Sequence, residues 1–516
     1  MDRSEGDARL LVRSLAARSR TPGFPPKNPP SNPTTATASQ WAAAAAPHEK
    51  NPLMKSANAP VSSSSTAPRR PRLRAGLLLA AACAGLGVMA QAPSARADLV
   101  IAKGETWEVS TNGRVNAFLS YITGDGYPAK NAGQTHNLAA GAGLESFQTD
   151  KDNKLSTLRL RSGFLGNVLG FSGKLKIADR TTATTHFEIW NTIGTSRSKA
   201  AVNAPDIRQG YAKLEGPWGS LLAGRSLALF MRGAISLDFN YQHGNGLGYP
   251  CASDNSDPTC GMVGYGVIFA GFNPQLTYTT PKVGGLELSV GLFDPVNAPG
   301  KYEATPWPRI EGELDYDAEF LVSGVKSNFH AFANGMVQTM REQGNPDRVP
   351  RMPYEPQSTT PWGVNVGFWA EIFHVRAGFS MFQGKGLGMN NAFENTPAVF
   401  DSDPGVDING NPHTPQAPQP RKFDGYYAVL GLNLHPISLN AGYGITRVFA
   451  TDNDFVAAKM NNFDPIKTQQ GISAGVNYAI GEHLVLALEY FHADHTWYFN
   501  DKQRLNVVNT GLTVLW

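Results

Sequence analysis

From Glu108 to the end of the chain one pattern repeats: about ten residues of alternating polarity, then a connection that is by turns very short and long. A period of two sends successive side chains to opposite faces of an extended strand, so each segment has one apolar and one polar face. Leu484, Leu486, Leu488 and Tyr490 alternate with Val485, Ala487 and Glu489, and Ile472, Ala474, Val476 and Tyr478 alternate with Ser473, Gly475 and Asn477. Sixteen strands are expected: near residues 110–122, 166–178, 183–194, 205–216, 219–229, 274–281, 285–294, 309–321, 325–338, 361–371, 373–383, 424–435, 437–449, 470–480, 482–493 and 505–516. Short turns are expected at residues 179–182, 217–219, 282–284, 323–324, 373–374 and 481–482. The pattern predicts an all-β fold, a transmembrane antiparallel β-barrel with short periplasmic turns and long extracellular loops. Sixteen is even and brings both ends to the periplasmic side; eighteen is also open.

Composition agrees. Charged residues are 17%, aromatics 10%, glycines number 53 and the mean hydropathy is −0.27. After residue 98 no apolar run approaches the roughly 18 residues a spanning helix needs. Low charge without long apolar runs is what alternating lipid-facing and lumen-facing residues average to.

The one compact apolar run, Ala75 to Ala90, follows Arg69, Arg70, Arg72 and Arg74 and precedes Ala95-Arg96-Ala97. A basic stretch, a short apolar core and an A-x-A site read as an export signal over residues 69–97, with cleavage after Ala97. Cys83 within it leaves a lipoprotein signal as an alternative. Residues 1–68 are Pro-, Ser- and Ala-rich without periodicity, and read as a disordered extension or a start assigned too early, with Met54 the other start. The barrel then occupies residues 98–516. Loss of residues 1–97 removes 13 Lys/Arg and 4 Asp/Glu, so the net charge passes from +3 to −6. Nucleic-acid binding thereby loses its electrostatic basis. Cys251 and Cys260, in a polar segment of an exported chain, are expected to form a disulfide.

One strand carries an unusual face. Glu311, Glu313, Asp315, Asp317 and Glu319 share one parity between Ile310 and Phe320, with Leu314 and Tyr316 on the other. Five carboxylates in a column repel if buried, so they are expected to face water. In a soluble sandwich that face is plain surface; in a barrel it lines the lumen and sets its sign.

The segment Arg208-Gln209-Gly210-Tyr211-Ala212-Lys213-Leu214-Glu215-Gly216-Pro217-Trp218-Gly219, continued by Ser220-Leu221-Leu222-Ala223-Gly224-Arg225, resembles the general diffusion porins of Gram-negative bacteria. So does the hairpin from Leu276 to Pro281 and Gly284 to Leu286. The C-terminal Thr510-Gly511-Leu512-Thr513-Val514-Leu515-Trp516 is similar to the signal read by the outer-membrane assembly machinery, with Gly511, Val514 and Trp516 at its marked positions and Trp in place of the usual Phe. The resemblance implies a homotrimer embedded in outer-membrane lipid, and a third loop folded into the lumen. That loop maps to Met231 through Val263 and holds Arg232, Asp238, His243, Asp254 and Asp257, while the family's Pro-Glu-Phe-Gly-Gly motif is missing. Basic partners across the constriction are expected from Arg114, Lys174, Lys176, Lys213 and Arg376, all on the lumen parity. Such opposed charges order water and favour polar solutes.

No Gly-x-Ser-x-Gly elbow, His-Glu-x-x-His helix, phosphate loop or Cys-x-x-Cys pair occurs, and His186, His330, His492 and His495 are scattered. No enzyme, cofactor or metal site is expected. The run of Asp401, Asp403, Asp407, Asn409 and Asn411 offers calcium-type oxygens but lacks the spacing of an EF-hand. The expected function is passive, weakly cation-favouring diffusion of small hydrophilic solutes. A sugar-specific channel with Trp190, Phe382, Tyr427 and Trp497 as an aromatic slide is the nearest alternative, and a barrel enzyme or an adhesive surface barrel the more distant ones.

Overall fold

The computed structural model describes residues 98–126, 150–193, 206–237, 259, 261–269, 271–296, 305, 307–341, 358–389, 399–401, 403–413, 419–461 and 465–516. The expected N-terminal extension and export signal lie outside these residues. Twenty strands form: β1 (Leu99–Lys103), β2 (Trp107–Asp125), β3 (Lys154–Arg161), β4 (Asn167–Ala178), β5 (Thr181–Asn191), β6 (Asp206–Gly216), β7 (Gly219–Leu227), β8 (Phe272–Thr279), β9 (Leu286–Phe293), β10 (Arg309–Val322), β11 (Val325–Val337), β12 (Met340–Arg341), β13 (Ser358–Thr359), β14 (Trp362–Ile372), β15 (Val375–Lys385), β16 (Lys422–Leu434), β17 (Ile437–Phe449), β18 (Ile466–Ile480), β19 (Leu484–Trp497) and β20 (Lys502–Leu515). Among the described residues two helices accompany them, α1 (Arg232–Leu237) and α2 (Asp452–Asn461).

Eighteen strands join one sheet and β12 pairs with β13 in a small ribbon. In that sheet β3 pairs with the Phe118 to Asp125 half of β2 and β4 with the Trp107 to Arg114 half, so the two share one position. β1 pairs with the start of β2 on the edge that β20 occupies further up. Sixteen positions remain, every neighbour antiparallel, and β20 closes on β2 from Leu515↔Arg114 to Leu505↔Gly124. Closure pairs the edge groups that lipid cannot satisfy. All sixteen expected segments are strands here; β1, β3 and the two-residue β12 and β13 are additional.

The two ends of the barrel differ as the connections predicted. At one end the strands turn within a few residues, as at Ser323 and Gly324, whose φ values of 51° and 78° are those of a tight hairpin turn with both central residues left-handed. The other end carries the long loops. Leu486, Leu488, Val364 and Val366 are exposed on the outer face, whereas Ala487, Glu489 and Asn365 on the opposite parity are buried. The apolar belt is thus on the outside, where only lipid can cover it. The largest apolar cluster lies within the ring, combining inward side chains such as Phe332, Phe382, Tyr427 and Phe491 with Leu229, Phe230, Ile235, Leu237, Met262 and Tyr265 from the connection between β7 and β8.

Candidate functional site

That third long connection, residues 228–271, turns inward because its first residues are apolar: Ala228, Leu229, Phe230 and Met231 are all almost fully buried. Three backbone N–H groups of this turn donate to wall side chains. Leu229 and Phe230 donate to Glu311 Oε2 at 2.8 and 2.9 Å, and Met231 to Asn334 Oδ1 at 2.9 Å. The Arg232 guanidinium pairs with Glu313 and reaches Asp315 at 4.0 Å. α1 then runs along β11, β14 and β15. Inward glycines make the room: a Cβ at Gly363 would lie 2.7 Å from Phe230 Cζ, and one at Gly378 would lie 2.8 Å from Leu237 Cδ2.

The returning half docks on the opposite wall. Gly266 N–H donates to Thr446 Oγ1 on β17 at 2.9 Å, and the Tyr265 hydroxyl donates to His495 Nε2 on β19 at 3.0 Å. Full burial holds that hydroxyl well above the usual tyrosine range, so it stays a donor. His495 Nδ1 in turn donates to Gln503 Oε1 at 3.1 Å. The Tyr265 carbonyl occupies the space a Cβ at Gly444 would need. Anchored at β10 and β11 on one side and at β16 to β19 on the other, the loop crosses the lumen.

The acidic column faces inward, but its upper members do not face water. Glu311 is 1% and Glu313 2% exposed, because the loop, more than eighty residues earlier in sequence, lies on them. Every carboxylate of the column is also paired. Glu311 meets Arg309 at 2.7 Å, Asp315 meets His330 at 3.6 Å, Asp317 meets Lys282 at 2.7 Å and Glu319 meets Lys326 at 2.8 Å. The expected bare lining is therefore, in its upper part, the socket for the loop.

The expected basic partners lie on inner parities but not across from the loop. Lys174 is 3.9 Å from Glu108, Lys176 3.5 Å from Asp179, Lys213 2.6 Å from Glu215, and Arg376 sits over the Trp369 ring at 3.9 Å. All four are within a few residues of a short turn, whereas the loop docks at Gly363 and Gly444, ten and eight residues above theirs. At about 3.3 Å per residue, that offset puts them well below the loop. Arg114, opposite Leu515 at the closing seam, is also low. Asp238, His243, Asp254, Asp257, Cys251 and Cys260 lie outside the described residues.

The aromatic slide is not formed. Trp190, Phe382, Tyr427 and Trp497 are 7, 2, 1 and 2% exposed, covered by loop residues and neighbours, and present no surface to a passing solute. Trp190 instead donates to Glu188, which also accepts from Gln209 at 3.2 Å, in a polar strip that begins at Ser172 and His186, 2.9 Å apart, and reaches Ser226. In the acidic loop, Asp401 accepts from Gln419 N–H at 2.5 Å and Thr451 Oγ1 at 2.9 Å, and Asp407 from both Asn409 and Asn411 backbones. Those oxygens tie the loop together; among the described residues no three His, Cys, Asp or Glu side chains converge as metal ligands.

Missed in the sequence were Tyr265, Asn334, Thr446 and His495 as loop anchors. The available signal was two apolar stretches, Ala228 to Met231 and Met262 to Phe269, at the two ends of a connection whose middle is polar.

A closed lipid-facing barrel with a loop fixed across its interior defines a membrane channel of the outer-membrane type. The chain matches the Gram-negative porin family over residues 77–513 and belongs to it. Its fold is similar to that of the outer membrane channel DcaP of Acinetobacter baumannii, at 14% identity, TM-score 0.53, covering 81% of this chain and 100% of that one. OmpF of Salmonella typhi matches at 11% identity, TM-score 0.45, with 79% and 98% covered, and OmpT of Vibrio cholerae at 12%, 0.44, 81% and 99%. A search of the curated proteins gives no match.

Proposed function

We propose that this outer-membrane porin passes small hydrophilic solutes passively and favours cations weakly. The observation that supports the sign is the charge count on the β9 to β11 wall and the groups paired to it. Six carboxylates (Glu287, Glu311, Glu313, Asp315, Asp317, Glu319) meet four permanent cations (Arg232, Lys282, Arg309, Lys326), a balance of −2 with His330 neutral. A fixed net charge beside a narrowed path raises the local concentration of the opposite ion. Export through a signal ending at Ala97, insertion guided by the C-terminal residues to Trp516, a Cys251–Cys260 bridge and a homotrimer complete the reading.

The test is swelling of liposomes carrying the purified protein. Neutral sugars of rising mass are expected to enter at rates that fall smoothly with size, with no saturation. Impermeability to all of them, or saturation by one, would replace passive diffusion with a closed or a dedicated channel.

A further inference from the structure

Below the loop, on its short-turn side, the inner wall of β6 to β9 holds a recess of about 400 Å³. Leu229 and Arg232 of the loop form its roof. Its walls are rich in hydroxyls, from Tyr211, Ser220, Thr277, Thr279 and Ser289, and two lysines and two glutamates stand around them. All three cations of the lining are already engaged: Lys213 with Glu215 at 2.6 Å, Lys282 with Asp317 at 2.7 Å, and Arg232 with Glu313. Glu287 differs. It projects inward from β9, is partly exposed, and its carboxylate has no direct hydrogen bond or ion pair among the described residues, the Lys282 ammonium acting on it only from beyond contact distance. Its direct cross-strand neighbour on β10 is another carboxylate, Asp315. Like charges set opposite one another in an antiparallel pair repel, at a Cβ separation of about 5 Å. A carboxylate without a direct partner in a hydroxyl-lined recess, with repulsion from Asp315 to be relieved, suits a hydrogen-bonding cation.

We propose that this recess is a binding subsite for a small polyhydroxylated solute carrying a primary ammonium group, the ammonium on Glu287 and the hydroxyls on the half-exposed Ser220 and Thr279. The subsite rests on the channel reading for access from the lumen and gives its cation preference a chemical target. It excludes carboxylated sugars, because the recess has no cation that is not already paired.

The experiment is binding of glucosamine, N-acetylglucosamine and glucuronate to the full-length exported protein folded in detergent, measured by ligand-observed NMR without reference to conductance. Glucosamine is expected to bind at millimolar concentration, at least tenfold more tightly than N-acetylglucosamine, which keeps the hydroxyls but lacks the charge. Glu287→Gln is expected to remove that advantage while folding at least as well, since it relieves the repulsion with Asp315; Glu319→Gln, at the mouth, is expected to leave it intact. Equal binding of the amine and the acetamide, tighter binding of glucuronate, or an unchanged Glu287→Gln would overturn the subsite. Absence of conductance in a bilayer would overturn the channel reading alone, since binding in detergent is read independently.

Discussion

Gly444 carries no side chain where the Tyr265 carbonyl presses on the wall, so Gly444→Ala forces the loop away or strains it. Overpacking of this kind costs about 1–3 kcal/mol. The expected outcome is a lower urea midpoint for the folded barrel together with a larger size limit for neutral solutes; an unchanged size limit would mean that the loop is held elsewhere. Asp407 gives a second prediction. The Asn411 side-chain amide, then the Asn411 backbone, hold its carboxyl below the usual range. A depressed folded value means the contribution is present above the unfolded pKa of about 3.9 and is lost as pH falls through the folded one. A lower protection factor at the Asn409 and Asn411 amides, corrected for the intrinsic pH dependence of exchange, is therefore expected once pH falls below the ordinary carboxylate range, with protection restored at about pH 6. Residue parity was readable, as the inward column from Glu311 to Glu319 illustrates. Residue burial was not: Glu311 is covered by Leu229 and Phe230, and nothing near Glu311 in sequence announces them.

At the scale of elements, alternation located the barrel strands because lipid and water impose opposite demands on the two faces at every second residue. It passed over β3, whose eight residues end at a break before β4 resumes the same position. Alternation is silent on the inward path of the connection between β7 and β8, which only the resemblance implied, since an inward loop contacts wall residues that only the closed ring brings near. The Arg232 to Glu313 pair tests that anchoring. The Arg232 side chain is 37% exposed and that of Glu313 1%, so Arg232→Ala strands a buried carboxylate and is expected to cost on the order of 2 kcal/mol, less than a fully buried pair. Arg232→Met combined with Glu313→Gln is expected to recover part of that loss in the denaturant midpoint. Strict additivity of the two substitutions would show that the pair does not hold the loop.

For the whole molecule, closure is the step on which the rest depends. Trp516 exchanges backbone hydrogen bonds with Gly113 at 3.0 and 3.1 Å, and its indole lies over that glycine on the outer face. Trp516→Ala is expected to lower the yield of heat-modifiable, folded barrel several-fold, read as the fraction migrating as folded before heating. The architecture was legible from the C-terminal pattern, the strand count and the turn asymmetry, while the shape of the passage was not, because it depends on where a loop lies across the ring. Only net charge survives that uncertainty of path, and it is negative on the β9 to β11 wall. Single-channel recording in a planar bilayer under a KCl gradient tests the account most directly. Discrete conductance steps with a reversal potential displaced modestly toward that of potassium are predicted; no steps, or a displacement toward chloride, would contradict it.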